Sequence, residues 1–402
     1  MAKILRRFAF SALLLPWMHT AQAANPSPAC SVDYQVNVKL ANGSSWSMCW
    51  EVRWREGIVF HDVTYTAPGA SPLLILAQMN PAQIHVPYDD NGARYHDETD
   101  YGLGATKDMA TLAADDCPNG KLLSSNGKAV LCQQTRATGY DVKYYTQAIQ
   151  GQALYLFSVS HVGEYNYIFE YGFHGDGSLE FAAGASGHLQ RFTPIPGRGE
   201  KYGWPLGQMK YGISHVHNFY WRLDFDLGGA DNDAFEELQF PPEDSSQETR
   251  VLQAQEFGTE TARTVKPDDF RSWRVKDKAI TNSDGHAISY HLEADPAHLF
   301  HGPEYEPFTQ SEVYATTYKP CENFASHNPT INGCADNVSA FVNGESLSRA
   351  DLVVWYGQAF HHLPRDEDEP MMDTHWSRYF VRPQDANAEN PLGDSAGHDQ
   401  GH

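Results

Sequence analysis

The residues best placed to do chemistry are His215 and His217, in the run Ser214-His215-Val216-His217-Asn218-Phe219. Side chains alternate between the two faces of an extended strand. His215, His217, Phe219, Trp221, Leu223 and Phe225 then share one face, and Val216, Asn218, Tyr220, Arg222, Asp224 and Asp226 share a mostly polar one. Both imidazoles therefore enter on the apolar, buried side. Each buried ring nitrogen needs a partner. Two rings at i and i+2 can reach one point, where a soft or borderline metal is the natural occupant. Core histidines bonded to backbone would satisfy the same pattern.

Two other stretches bear on that choice. In residues 161–171, Tyr165, Tyr167, Phe169 and Tyr171 share a strand face and read as an aromatic core strand. In residues 360–372, His361 and His362 end an apolar strand, just before Pro364, Arg365 and a run of acids. One of these histidines could complete a three-histidine site, but alternation does not say which of them points inward.

The elements that must position these groups are strands. Alternating or β-branched and aromatic patterns cover 33–40, 46–54, 57–66, 73–87, 129–133, 141–149, 154–173, 178–182, 212–227, 250–256, 311–318, 351–360 and 376–382. Turn pairs such as Asn42-Gly43, Asn126-Gly127 and Asp176-Gly177 separate them. Helical periodicity is scarce, with 104–115 the best short helix. The pattern predicts an all-β fold, a large β-sandwich in one domain spanning 24–383. The polar segment 241–269 reads as a long hairpin or arm, or as a solvated loop. The composition from Gln384 onward predicts a disordered tail (384–402), with His398 and His402 solvated.

Lys3, Arg6 and Arg7 precede an apolar run and Ala21-Gln22-Ala23, the pattern of a secretory signal peptide over 1–23. A periplasmic or secreted protein follows as the expectation. Six cysteines in such a compartment predict disulfides, and proximity pairs Cys30 with Cys49, Cys117 with Cys132, and Cys321 with Cys334. No Cys-x-x-Cys pair supports a zinc ribbon. The formal net charge of −22 argues against nucleic acid or an anionic membrane as partner, permits cationic ligands and favours solubility.

Taken in order, the three stretches resemble the catalytic domain of the copper amine oxidases. That family carries a His-x-His strand followed by Arg-Leu-Asp, matched by His215, His217 and Arg222-Leu223-Asp224. Its later turn, His-x-x-Arg-x-Glu-Asp-x-Pro, is matched from His362 to Pro370 and makes His362 the third copper ligand. Tyr165 falls at the position of the tyrosine that becomes the topaquinone cofactor. Tyr88, in Pro87-Tyr88-Asp89, matches a tyrosine bonded to the quinone oxygen. Asp97 matches the catalytic base, and Tyr95 the channel-gating aromatic two residues before it. Asp224, Asp226 and Asp351, with the backbone carbonyls of Phe225 and Leu352, match a peripheral calcium-type site. Cys117 and Cys132 match the domain's disulfide.

The resemblance runs from about Trp46 to Pro383 and implies a minimal, catalytic-domain-only form, since the family's smaller preceding domains have no counterpart. It departs where Glu164 replaces the Asn before the cofactor tyrosine, Asn166 the acid after it, and His161 an upstream Thr. It implies a copper- and quinone-dependent oxidase that converts a small primary amine to an aldehyde with dioxygen, releasing ammonia and hydrogen peroxide. It also implies a homodimer, with 241–269 as an embracing arm. Two rival expectations stand beside it: a copper-binding protein on the same scaffold with Tyr165 unmodified, and an oxidase of peptide or protein amines.

Overall fold

The computed structural model describes residues 30–208, 210–293 and 299–392. Segments 1–29 and 393–402, which hold the expected signal peptide, His398 and His402, lie outside the described residues. Two large antiparallel sheets, of nine and ten strands, face each other, with a small three-stranded sheet beside them. This is the expected all-β sandwich.

In the nine-stranded sheet, Leu73–Pro87, His215–Phe225 and Leu352–His362 lie side by side, with His215 opposite His362 in the ladder. In the ten-stranded sheet, Gln147–Val162, Tyr165–His174, Leu179–Gly187 and Met372–Gln384 are successive neighbours, the last joining from far along the chain. Rings from the two sheets interlock across the core, Tyr171 and Phe169 edge-on to Trp221 at 5.4 and 5.5 Å between centroids. Such packing fixes the register, because a slip of one residue would move every aromatic to the wrong face. It therefore also fixes how Tyr165, at the start of its strand, meets His215.

The histidine strand is buried along its whole length. Its second face, which the sequence pattern left polar, packs Tyr220 against Leu299, Phe308, Tyr314 and Phe341. Arg222 is buried there with its guanidinium on Asp224 at 3.2 Å.

Several expectations need correction. Residues 104–115 form no α-helix, only the start of a 3-10 turn at Ala114–Asp116: their backbone is spent on neighbouring segments, as in Gly104 N–H to Trp54 O and Ala110 N–H to Val159 O. The α-helix nearby is Asp97–Tyr101. The run 154–173 is two strands, Gln147–Val162 and Tyr165–His174, folded back at Gly163, whose φ of 60° suits glycine. The strand expected at 141–149 is likewise a hairpin tip, with Tyr145 at φ 45°.

The segment 241–269 is neither a free arm nor a plain loop. Gln253–Glu256 pairs with Asp233–Gln239, and Thr261–Arg263 pairs with Val313–Thr317. Strands Asp233–Gln239 and Ser272–Thr281 carry charged residues that interrupt their apolar pattern, and Ala287–Glu293 is a further strand the sequence pattern did not single out. Glu237 is held by Arg263 at 2.7 and 2.8 Å, and Glu236 by Arg274 and Lys276 at 2.5 and 2.7 Å. Gln384 closes the last strand, and Asn282 donates to the Asp385 carbonyl just beyond it.

All three expected disulfides are present, Cys30–Cys49, Cys117–Cys132 and Cys321–Cys334. They fit an oxidising compartment. No helix among the described residues is long and apolar enough to cross a membrane.

Candidate functional site

The site lies between the sheets, at one end of the histidine strand. The His215 and His217 Nε2 atoms are 3.0 Å apart, and the Tyr165 hydroxyl is 3.0 Å from His215 Nε2. His362 joins them from the neighbouring strand, its ring centroid 5.0 Å from that of His215. His362 is buried, whereas the His361 side chain is 52% exposed and pairs with Asp89, so the inward histidine is His362.

Hydrogen bonds fix which nitrogen of each ring carries the proton. His215 Nδ1 sits 3.2 Å from the Ile213 carbonyl, which can only accept, so Nδ1 carries the hydrogen and Nε2 a lone pair. The Tyr167 hydroxyl gives its one proton to Asp97 Oδ2 at 2.6 Å. It can therefore only accept from His217 Nδ1, 3.3 Å away, which again leaves Nε2 with a lone pair. His362 Nε2 donates to Asp368 Oδ2 at 2.9 Å, leaving Nδ1. Burial keeps the rings neutral, with His215 pushed down to about 3, His217 well below the usual range and His362 lowered.

Two lone pairs 3.0 Å apart repel unless an electrophile sits between or beside them, and the Tyr165 proton can serve only one. Neutral imidazoles with outer partners already set form the donor set a borderline transition metal takes, so the residues fit copper.

Tyr88 stacks on His215, with ring centroids 4.6 Å apart and planes inclined by 26°. Its hydroxyl interacts with that of Tyr165 without full hydrogen-bond geometry. Burial pushes both phenols up, so both stay protonated. Tyr95, half-buried, stands edge-on to Tyr88 at 6.2 Å, and its hydroxyl accepts from Gln190. Asp97 is buried, and burial pushes its carboxyl up to about 7 against the opposing pull of Tyr167. A group titrating near neutrality can both take and return a proton. Tyr88, Tyr95, Asp97, Tyr165, His215, His217 and His362 thus lie in one region of the sandwich.

Tyr167 and Asp368 were missed as site residues. Tyr167 read only as one more aromatic on the Tyr165 face; its i+2 spacing was the available signal. Asp368 stood inside a quoted motif without a role.

The acidic cluster lies at the far end of the same strand. Ligand oxygens of Asp224, Asp226 and Asp351 lie within 4.8 Å of one another, and Phe225 and Leu352 are ladder partners beside them. One carboxylate oxygen of each acid is buried without a hydrogen-bond partner among the described residues.

Residues 35–401 match the family model described as copper amine oxidase, enzyme domain. A primary amine oxidase of Arthrobacter sp. (strain P1) is 23% identical over 386 residues, covering 87% of this chain and 59% of that protein. The copper-containing amine oxidase gamma 1 of Arabidopsis thaliana is 24% identical over 412 residues, covering 89% of this chain and 57% of its own length. The chain thus spans less than two thirds of these relatives. A copper-containing benzylamine oxidase from Hansenula polymorpha superposes with a TM-score of 0.74 at 18% identity, over 86% of this chain and 60% of the other. Pichia pastoris lysyl oxidase gives 0.72 at 20% identity, over 86% and 52%. With that family model running through nearly all of the described fold, the chain belongs to the copper amine oxidase family.

Proposed function

We propose that this protein is an exported oxidase of primary amines, dependent on copper and on a quinone made from Tyr165, releasing aldehyde, ammonia and hydrogen peroxide. The observation that carries the reading is the facing pair of lone-pair nitrogens on His215 and His217, with the Tyr165 hydroxyl 3.0 Å from one of them. A phenol so close to a redox metal is placed for oxidation. Copper held by His215, His217 and His362 would activate dioxygen, and the quinone would supply the carbonyl that takes up the amine.

The chain's own residues account for the rest. Asp97, buried and titrating near pH 7, takes the proton from the carbon next to the substrate nitrogen. Tyr167 holds Asp97 in place and, through His217, ties the base to the metal side of the site. Tyr88 caps the Tyr165 ring position and steers its hydroxyl edge. Tyr95, the outermost of these groups, gates the entrance. Asp224, Asp226 and Asp351, with the Phe225 and Leu352 carbonyls, hold calcium; unpartnered carboxylate oxygens suit a hard cation. The protein works as a homodimer in the periplasm or outside the cell.

The test is aerobic loading with copper, then mass spectrometry of the peptide containing Tyr165 and absorbance before and after phenylhydrazine. Oxidation of Tyr165 and a phenylhydrazine-shifted band are expected. Bound copper with an unmodified Tyr165, and no peroxide from any primary amine, would sink the reading and leave a copper-binding protein.

A further inference from the structure

Beside His362 lies a second set of donors. His362, Asp368 and His375 each offer a ligand atom, all within 4.8 Å of one another, and His362 Nε2 is 2.9 Å from Asp368 Oδ2. Asp368 is fully buried, and its Oδ2 also accepts from the Arg365 backbone at 2.9 Å. His375 comes from the Met372–Gln384 strand of the opposite sheet, its ring centroid 4.7 Å from that of His362. His375 Nε2 is buried with no hydrogen-bond partner among the described residues, and the nearest carboxylate, Asp373 Oδ1, stands 3.8 Å off. An unpaired imidazole nitrogen beside a buried His–Asp pair is costly as it stands.

We propose that His362, Asp368 and His375 form a second metal site, for a zinc-like divalent ion, with the His362 ring bridging it to the copper position. Two imidazole nitrogens and one carboxylate oxygen, completed by a water, are a zinc donor set rather than a calcium or magnesium one. Asp373 is placed to orient the outer ligand. The His375 side chain is 29% exposed, which gives an ion a way in from solvent. The proton now shared between His362 Nε2 and Asp368 must leave when the ion arrives, so binding releases one proton to the buffer. The bridge rests on the copper reading above; the three ligands do not.

The experiment is metal analysis of the full chain, loaded first with copper and then with zinc, in excess calcium to keep the acidic cluster occupied, and dialysed. Retention of one zinc beside one copper per chain is expected. His375→Ala, and His375→Gln as a milder replacement, should keep the copper and lose the zinc. His217→Ala should do the reverse, which separates failure of this site from failure of the copper site. Added to the copper-loaded protein, zinc should raise the unfolding temperature of the native chain but not of either His375 variant. Zinc that displaces the copper, washes off the native chain, or stays on folded His375 variants overturns the proposal.

Discussion

Tyr167→Phe removes a single oxygen from the hydroxyl that joins Asp97 to His217, and its effect can be worked out in advance. Tyr167 donates to Asp97 Oδ2 at 2.6 Å, and this bond opposes the burial that pushes Asp97 up to about 7. A hydrogen bond to a charged group contributes about 1.5–3 kcal/mol. At about 1.36 kcal/mol per pKa unit, its loss should raise the Asp97 pKa by about 1–2 units. At pH 7 the ionised fraction would drop from about half to roughly 1–10%, and kcat/KM should fall about 5- to 50-fold. Because the base is only protonated, not lost, activity should recover as the pH rises towards 9. The assay is the pH profile of kcat/KM for peroxide release, with copper content measured on the same preparations. An acidic limb that stays in place, or a loss that is equal at every pH with copper retained, would refute the assignment of Asp97 as the base positioned by Tyr167.

Other perturbations probe the remaining groups. Burial and mutual repulsion push Asp226 up to about 6 and Asp351 up to about 8. These folded-state values lie above the unfolded ones, so without calcium their contribution is full in acid and is lost as pH rises through about 6 to 8. Calcium at a hundredfold excess over its Kd should then add about 2.7 kcal/mol at pH 8, read as a higher unfolding temperature than in chelator; equal temperatures would dismiss the site. Glu98 is fully buried with neither carboxylate oxygen hydrogen-bonded among the described residues, and burial holds it well above the usual range. Glu98→Gln should leave stability unchanged at pH 5 and raise it at pH 9, and marked destabilisation at both would contradict a neutral Glu98. Replacing Cys117 and Cys132 by Ser opens a loop of sequence separation 15 and should cost about 3 kcal/mol in denaturant unfolding.

What could be read in the sequence followed burial. The strand 215–225 announced itself because its inner face is purely apolar apart from the two histidines. The three disulfides followed from cysteines close in sequence, in a chain expected to meet an oxidising compartment. Strands 233–239 and 272–281 stayed hidden because their charges are satisfied by cross-strand partners, such as Glu236 with Arg274, that are remote in sequence. Glu98 stands among the acids Asp97 and Asp100 in sequence, yet it is buried. A linear pattern cannot tell an acid facing water from one turned inward at the start of a short helix. The role of Tyr167 was hard to read for a related reason: its partner, Asp97, opens a short helix beside the opposite sheet, and only the closed sandwich brings them together.

The same closure bears on the departures beside Tyr165. Glu164 replaces an amide that in the family lies next to the cofactor tyrosine, and as sequence it suggests a carboxylate against the ring. Glu164 is instead exposed in the hairpin turn, where its carbonyl accepts from His188 N–H. Asn166 falls on the opposite strand face from Tyr165 and Tyr167, its side-chain oxygen buried without a partner. The surroundings of the Tyr165 ring are therefore set by Tyr167 on its own strand, by His215 and His217 on a facing strand, and by Tyr88 at the end of a third. A Glu164→Asn variant should accordingly change the rate of Tyr165 oxidation less than Tyr88→Phe does, as followed by the appearance of the phenylhydrazine-reactive band. The reverse order would mean that the turn, and not the ring's enclosure, governs the cofactor.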